Sequence, residues 1–149
     1  MGHRFWLQVA VPRRNIGFSL IELMVVVAIA GILASIAVPS YLEHVDRSAI
    51  RSAQSDLAAI SLSMENEFQR ALVYPVWSLT TAAQVKAKFN NWRASTDKFA
   101  YTITSTATTY ALTATGLNSN LENCEITLNQ LGDQGLNDCA TYAADGKWL

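Results

Sequence analysis

The stretch FSLIELMVVVAIAGILASIAV, from Phe18 to Val38, carries a single charge, Glu22, in 21 residues. As a helix it rises about 1.5 Å per residue and reaches roughly 30 Å, the thickness of a bilayer's hydrocarbon. Core helices of soluble proteins are usually shorter and keep a polar face. An all-round apolar run of this length therefore reads as a membrane span. A carboxylate inside such a run costs several kcal/mol, roughly, if left unpaired, and normally marks function.

Upstream lie Arg4, Arg13 and Arg14 and no acidic residue. Positive flanks stay cytoplasmic, which predicts that the carboxyl-terminal part lies outside the cytoplasmic membrane. An ordinary secretory signal has its cleavage site after the apolar stretch. Here no A-x-A-like site closes the run, and Pro39-Ser40-Tyr41-Leu42 follows instead. The removable part is the short basic segment ahead of the run. Its loss leaves 8 basic against 12 acidic residues, a net charge of −4. A mildly acidic exported part speaks against general nucleic-acid affinity and leaves room for a local basic patch. The export also places Cys124 and Cys139, the only cysteines, in an oxidising compartment. A lone pair with 14 residues between them suits one disulfide, and nothing nearby completes a metal site.

Beyond the apolar run the helical pattern becomes one-sided. Leu42, Val45, Ala49, Ala53, Leu57, Ile60, Met64 and Phe68 step by threes and fours, with Glu43, Asp46, Arg47, Arg51, Gln54, Glu65 and Arg70 between them. The pattern predicts one helix from about Phe18 to about Leu72, ended by Tyr74-Pro75. Gly31 and Pro39 weaken its membrane half, so a kink or a locally extended stretch is expected there. Residues 76–98 read as a mixed connection with one short helix, Thr81–Asn91. The period then changes to two. Phe99–Thr104, Thr109–Thr115 and Glu125–Gln130 read as strands, with turns at Ser105-Thr106-Ala107-Thr108 and Gly132-Asp133-Gln134-Gly135. The class is α+β: a long helix whose second half packs on an antiparallel sheet of three or more strands. Three segments follow, 1–17 as a leader, 18–40 as the membrane half of the helix, and 41–149 as the exported domain.

Gly17-Phe18-Ser19-Leu20-Ile21-Glu22-Leu23 resembles the processing motif of type IV prepilins. The likeness continues through Ala30-Gly31-Ile32-Leu33-Ala34 and Ile36-Ala37-Val38-Pro39-Ser40-Tyr41. Tyr110–Thr115 and Cys124–Gly132 look like the type IVa group, and within it like PilE-like minor pilins. The leader departs from the pattern in its length and in the apolar Phe5-Trp6-Leu7. The resemblance implies cleavage between Gly17 and Phe18 by a prepilin peptidase, then N-methylation of Phe18. It implies assembly through Glu22 with other pilin subunits, by an inner-membrane pilus machinery. The subunit would wait in the cytoplasmic membrane with its carboxyl-terminal domain in the periplasm, then join a surface pilus serving twitching, adhesion or DNA uptake.

Other functions fit less of the chain. A pseudopilin of a type II secretion system shares the amino-terminal motif. An enzyme finds little support: the histidines are His3 and His44, and no phosphate loop, metal pattern or nucleophile motif is present. No cofactor or metal is expected. Glu65 and Glu67 sit two apart on a helix and point to different faces. A DNA-binding pilin has one candidate feature, Lys86, Lys88, Trp92 and Arg93, with Phe89 and Lys98 nearby, which mixes positive charge with stacking surface. The alternative is a short amphipathic helix with Val85, Phe89 and Trp92 on the core and its lysines in water.

The order of basic segment, Gly17 and uncleaved apolar run, with the methylation that the prepilin resemblance implies, yields a direct expectation. Mass spectrometry of the exported protein begins at N-methylated Phe18, and Gly17→Val leaves the precursor uncut. An exported mass that retains residues 1–17 would contradict it.

Overall fold

The computed structural model describes residues 18–89, 92–139 and 148. The chain divides into two compact units between Val38 and Pro39. Each is taken in turn.

The described part of the first unit is helical from Leu20 onward, within α1 (Leu20–Ala71). The Ser19 carbonyl opens the helix by accepting from the N–H groups of Glu22 and Leu23 at 3.1 and 3.2 Å. Every residue from Phe18 to Val38 is exposed, and no described residue buries any part of this apolar run. Helical geometry continues through Gly31 and Pro39, and the locally extended stretch expected there is not formed. A proline removes one hydrogen bond from the ladder, and the bonds on either side hold the helix together. The Ser35 hydroxyl adds a 2.7 Å bond to the Ile32 carbonyl in the turn before.

In the second unit Pro39–His44 are exposed and burial begins at Asp46. The apolar stripe therefore starts later than Leu42, which is itself exposed. The buried face runs Asp46, Ala49, Ile50, Ala53, Gln54, Asp56, Leu57, Ile60 and Met64, steps that keep one side of a helix inward. Asp46 and Gln54, which read as solvent-facing in the sequence, belong to this buried face. The helix stops at Ala71, before Tyr74-Pro75. Leu72 turns left-handed, with φ 57°, while its N–H still bonds to the Phe68 carbonyl at 2.7 Å. Just beyond, the Tyr74 and Tyr110 hydroxyls both donate to Glu65 Oε1, at 2.9 and 3.0 Å. Burial, reinforced by that carboxylate, pushes the Tyr74 phenol up to about 12. Glu67 points elsewhere, toward Arg70 at 3.8 Å.

The sheet has five antiparallel strands in chain order: β1 (Ser78–Leu79), β2 (Phe99–Ser105), β3 (Tyr110–Gly116), β4 (Glu125–Asn129) and β5 (Gln134–Asn137). The strongest pairing joins β2 to β3, from Phe99↔Gly116 to Ser105↔Tyr110. Alternation sends Phe99, Tyr101, Ile103, Tyr110, Leu112, Ala114, Ile126, Leu128 and Leu136 into the core, where α1 supplies the facing side chains. The threonines at 102, 104, 113, 115 and 127 take the other face.

The sequence pattern located β2, β3 and β4 but neither edge. β1 has two residues, too few for any periodicity. β5 contains Gly135, which the sequence suggested as part of a turn. A side chain at Gly135 would collide with Thr127 Oγ1 on β4, so a close approach of strands accounts for this glycine. The turn itself needs Gly132, whose φ is +77°. Cys124 precedes β4 and Cys139 follows β5, and they are bonded, with Cα atoms 4.6 Å apart.

That bond clamps both ends of the β4–β5 hairpin. A loop of 15 residues is worth about 3 kcal/mol by chain entropy. Cys124→Ser is expected to lower the melting temperature and the subunit's abundance without blocking leader removal. Both thiols alkylating in protein taken from the cell surface would contradict the bond.

Candidate functional site

The segment that carries the basic cluster starts at a well-capped helix. Thr81 accepts from the Gln84 N–H at 3.3 Å, and Gln84 Oε1 reaches back to the Thr80 N–H at 2.8 Å. The first bond satisfies a donor that a helix amino terminus leaves open, and the second ties the residue before the cap to the first turn. The helix, α2 (Ala82–Lys88), is shorter than the expected Thr81–Asn91, and Asn90 and Asn91 lie outside the described residues. It buries Val85 and leaves Lys86 and Lys88 in water.

Phe89 and Trp92 are core residues, only 9% and 6% exposed. The Trp92 ring meets Tyr101 of β2 edge to face at 5.2 Å, and Phe89 meets Trp77 in the same way at 5.5 Å. Trp92 is therefore no platform for a stacked base. The accessible aromatic is Trp77, half-buried, with Lys88 Nζ over its ring at 5.4 Å. Trp77 follows Val76 in an irregular stretch, and nothing in the local sequence distinguishes it. The amphipathic alternative describes the aromatics, and the cations divide by position.

Lys98 is committed inward. Its ammonium lies 2.7 Å from Asp46 Oδ1, and Asn120 Nδ2 donates to the other oxygen at 3.1 Å. Asp46 is 2% exposed, so this pair fastens residue 98 to α1 and is not offered to a ligand. Arg93, Lys86 and Lys88 remain exposed. Between α1 and the segment after α2 lies an open groove of about 710 Å³, with Ser63, Asn66 and Arg70 on one side and Lys88, Arg93 and Ser95 on the other. Arg70 stands on the groove's first side with Glu67 3.8 Å from it, and Lys88 and Arg93 are the cations of the other. At its inner side Asp56 accepts from the Ser95 N–H, the Ser95 hydroxyl and the Tyr101 hydroxyl, at 2.8, 2.6 and 2.6 Å. Burial, with Asp56 second, drives the Tyr101 phenol far above its ordinary range.

The remaining sequence-selected residues are spread along the chain. Gly17 lies outside the described residues. Phe18 and Glu22 are exposed at the start of α1, Gly31 and Pro39 are within it, and Cys124 and Cys139 close the hairpin. Among the described residues no group of three His, Cys, Asp or Glu side chains comes together to hold a metal.

An uncovered apolar helix followed by an α1-backed, disulfide-closed antiparallel sheet defines a pilin-like α+β protein. Residues 39–129 match the family model of the type IV minor pilin ComP, DNA uptake sequence receptor, and residues 12–38 match the prokaryotic N-terminal methylation motif. The chain belongs to this type IV minor pilin family. A fimbrial protein of Pseudomonas aeruginosa is 48% identical over 50 residues, 34% of this chain and 32% of that protein. The type IV major pilin protein PilA of Myxococcus xanthus is 47% identical over 55 residues, 37% of this chain and 25% of PilA. The type II secretion system core protein G of Pseudomonas aeruginosa is 35% identical over 79 residues, 53% of this chain and 56% of that protein. The chain thus spans a third or less of the two pilins' length and just over half of core protein G. No solved structure matches significantly.

The core position of Trp92 can be tested directly. Trp92→Ala is expected to cost about 3–5 kcal/mol of stability, and Trp92→Phe far less, as read by denaturant unfolding. An alanine variant as stable as the parent would contradict the burial.

Proposed function

We propose that this chain is a minor structural subunit of a type IV pilus that also offers a phosphate-binding patch to DNA. The observation that carries the first part is the apolar run Phe18–Val38, exposed along its whole length and led by Glu22. Such a helix needs lipid before assembly and other helices afterwards. Ala28, Ala30, Gly31 and Ala34 allow close helix approach. Cleavage after Gly17 by a prepilin peptidase creates an amine at Phe18, one turn from Glu22. A charge pair between Glu22 and the amine of a neighbouring subunit rewards one axial offset and so helps set register. Loosening of the helix near Gly31 and Pro39 during assembly would help successive helices fit. The amino terminus starts on the cytoplasmic face, with the sheet unit outside.

The family match extends the reading to DNA, and the exposed Lys86, Lys88 and Arg93 supply the chemistry. With Trp92 buried, these cations bind the phosphate backbone and base stacking is a minor contribution. A second reading, a pseudopilin of a secretion system, draws on the likeness to core protein G. Deleting the gene and scoring surface pili, DNA uptake and secretion separates the two.

Glu22→Val is expected to be cleaved and membrane-inserted yet depleted from sheared filaments, with Glu22→Asp intermediate. Equal incorporation of Glu22→Val would refute the charge pair. For DNA, the slope of log K against log salt is expected to fall by about one for each of Lys86→Ala and Arg93→Ala. Unchanged slopes would remove the patch from the account.

A further inference from the structure

We propose that Asp56 is a positioning residue, holding the segment that bears Arg93 against α1 and so fixing where that cation meets a phosphate. The consequence for DNA rests on the function proposed above, whereas the holding of the segment does not.

Residues 92–98 belong to no helix or strand. Their described tethers are few. Trp92 is anchored by its buried ring and by its N–H, which donates to the Phe89 carbonyl at 2.9 Å. Lys98 is anchored by Asp46. Between these ends Ser95 is exposed, yet both its N–H and its hydroxyl are spent on the Asp56 carboxylate. Arg93 lies between the Trp92 anchor and the Ser95 anchor. With Ser95 released, the backbone from residue 93 to 97 would be free to move, and Arg93 would lose a defined place on the groove's rim.

The carboxylate is well suited to this. Oδ1 takes the Ser95 hydroxyl, and Oδ2 takes the Ser95 N–H together with the Tyr101 hydroxyl. Both oxygens are used, and their orientation is set by α1 on one side and β2 on the other. Asp56 therefore joins three elements at one point. It is 4% exposed on a face otherwise made largely of Ala, Ile, Leu and Met. An apolar residue there would bury without desolvating a charge, so the carboxylate's contribution lies in geometry more than in stability.

The test uses the full chain in detergent micelles, with hydrogen exchange at the Ser95 amide and binding to a random-sequence DNA duplex across a salt series. In the parent, the Ser95 amide is expected to be protected although the residue is exposed, because its N–H is bonded to Asp56. Asp56→Asn is expected to speed that exchange at least about tenfold, to weaken duplex binding about tenfold and to lower the salt slope by about one. Tyr101→Phe removes a contact of the same carboxylate but leaves Ser95 held. It is expected to lower the melting temperature while keeping Ser95 protected and DNA affinity within about twofold. Should Asp56→Asn fail to fold, the double variant Asp56→Ala/Tyr101→Phe serves in its place, which removes the acceptor without leaving the phenol unpaired, with faster Ser95 exchange and about tenfold weaker binding expected. Ser95 protection that survives in Asp56→Asn, or in Asp56→Ala/Tyr101→Phe if that replaces it, would overturn the positioning role. Lost protection with DNA affinity and slope unchanged would overturn its link to Arg93. If the parent binds no duplex, the DNA function falls, and exchange alone decides whether Asp56 holds the segment.

Discussion

The twenty-one residues from Phe18 to Val38, which lead into α1 and form its first part, are all exposed among the described residues, and most are large and apolar. At about 25 cal/mol per Å² of apolar surface, water is a prohibitive environment for that helix. A bilayer satisfies it, and so does a bundle of similar helices, because lipid tails and leucine side chains are equally apolar. Exchange between the two is therefore close to balanced, and small biases decide it. In the proposed assembly Glu22 supplies such a bias, since a carboxylate is poorly served by lipid and would be well served by a neighbour's amine. Within the second unit, burial begins only at Asp46.

The second unit holds itself together by a different logic. Its core is the one-sided stripe of α1 against the inward faces of five strands, and three acids of α1 fasten later parts of the chain to it. Asp46 takes Lys98 and Asn120, Asp56 takes Ser95 and Tyr101, and Glu65 takes Tyr74 and Tyr110. Each is an acid of α1 reaching out to a later part of the chain. Together with the disulfide they convert an irregular connection and a short hairpin into fixed surfaces, the kind on which binding residues are commonly carried.

Periodicity carried much of this. The change from period 3.6 to period 2 marks where α1 gives way to β2, β3 and β4, and the cysteines could be paired from compartment and number. What stayed hidden has physical reasons. Two residues of β1 carry no pattern, and Gly135 looks like a turn residue because its packing partner, Thr127, is remote in sequence. Leu72 ends α1 in a left-handed conformation that sequence assigns to glycine or asparagine. Trp92 suits a core and a ligand surface equally until Tyr101 is seen against it. Asp46 and Asp56 are the hardest: a carboxylate on an amphipathic helix reads as solvated, and only the tertiary partners show otherwise.

The central claim is that residues 18–38 exchange a lipid environment for one made of other pilin helices. A photo-crosslinking residue at Ile32, which is exposed on α1, reports this directly. In cells unable to assemble pili, irradiation should give lipid adducts of the subunit. In assembling cells, sheared filaments should yield crosslinks from Ile32 to other pilin subunits. Crosslinks from Ile32 into the subunit's own sheet, or lipid adducts alone in filament fractions, would contradict the account.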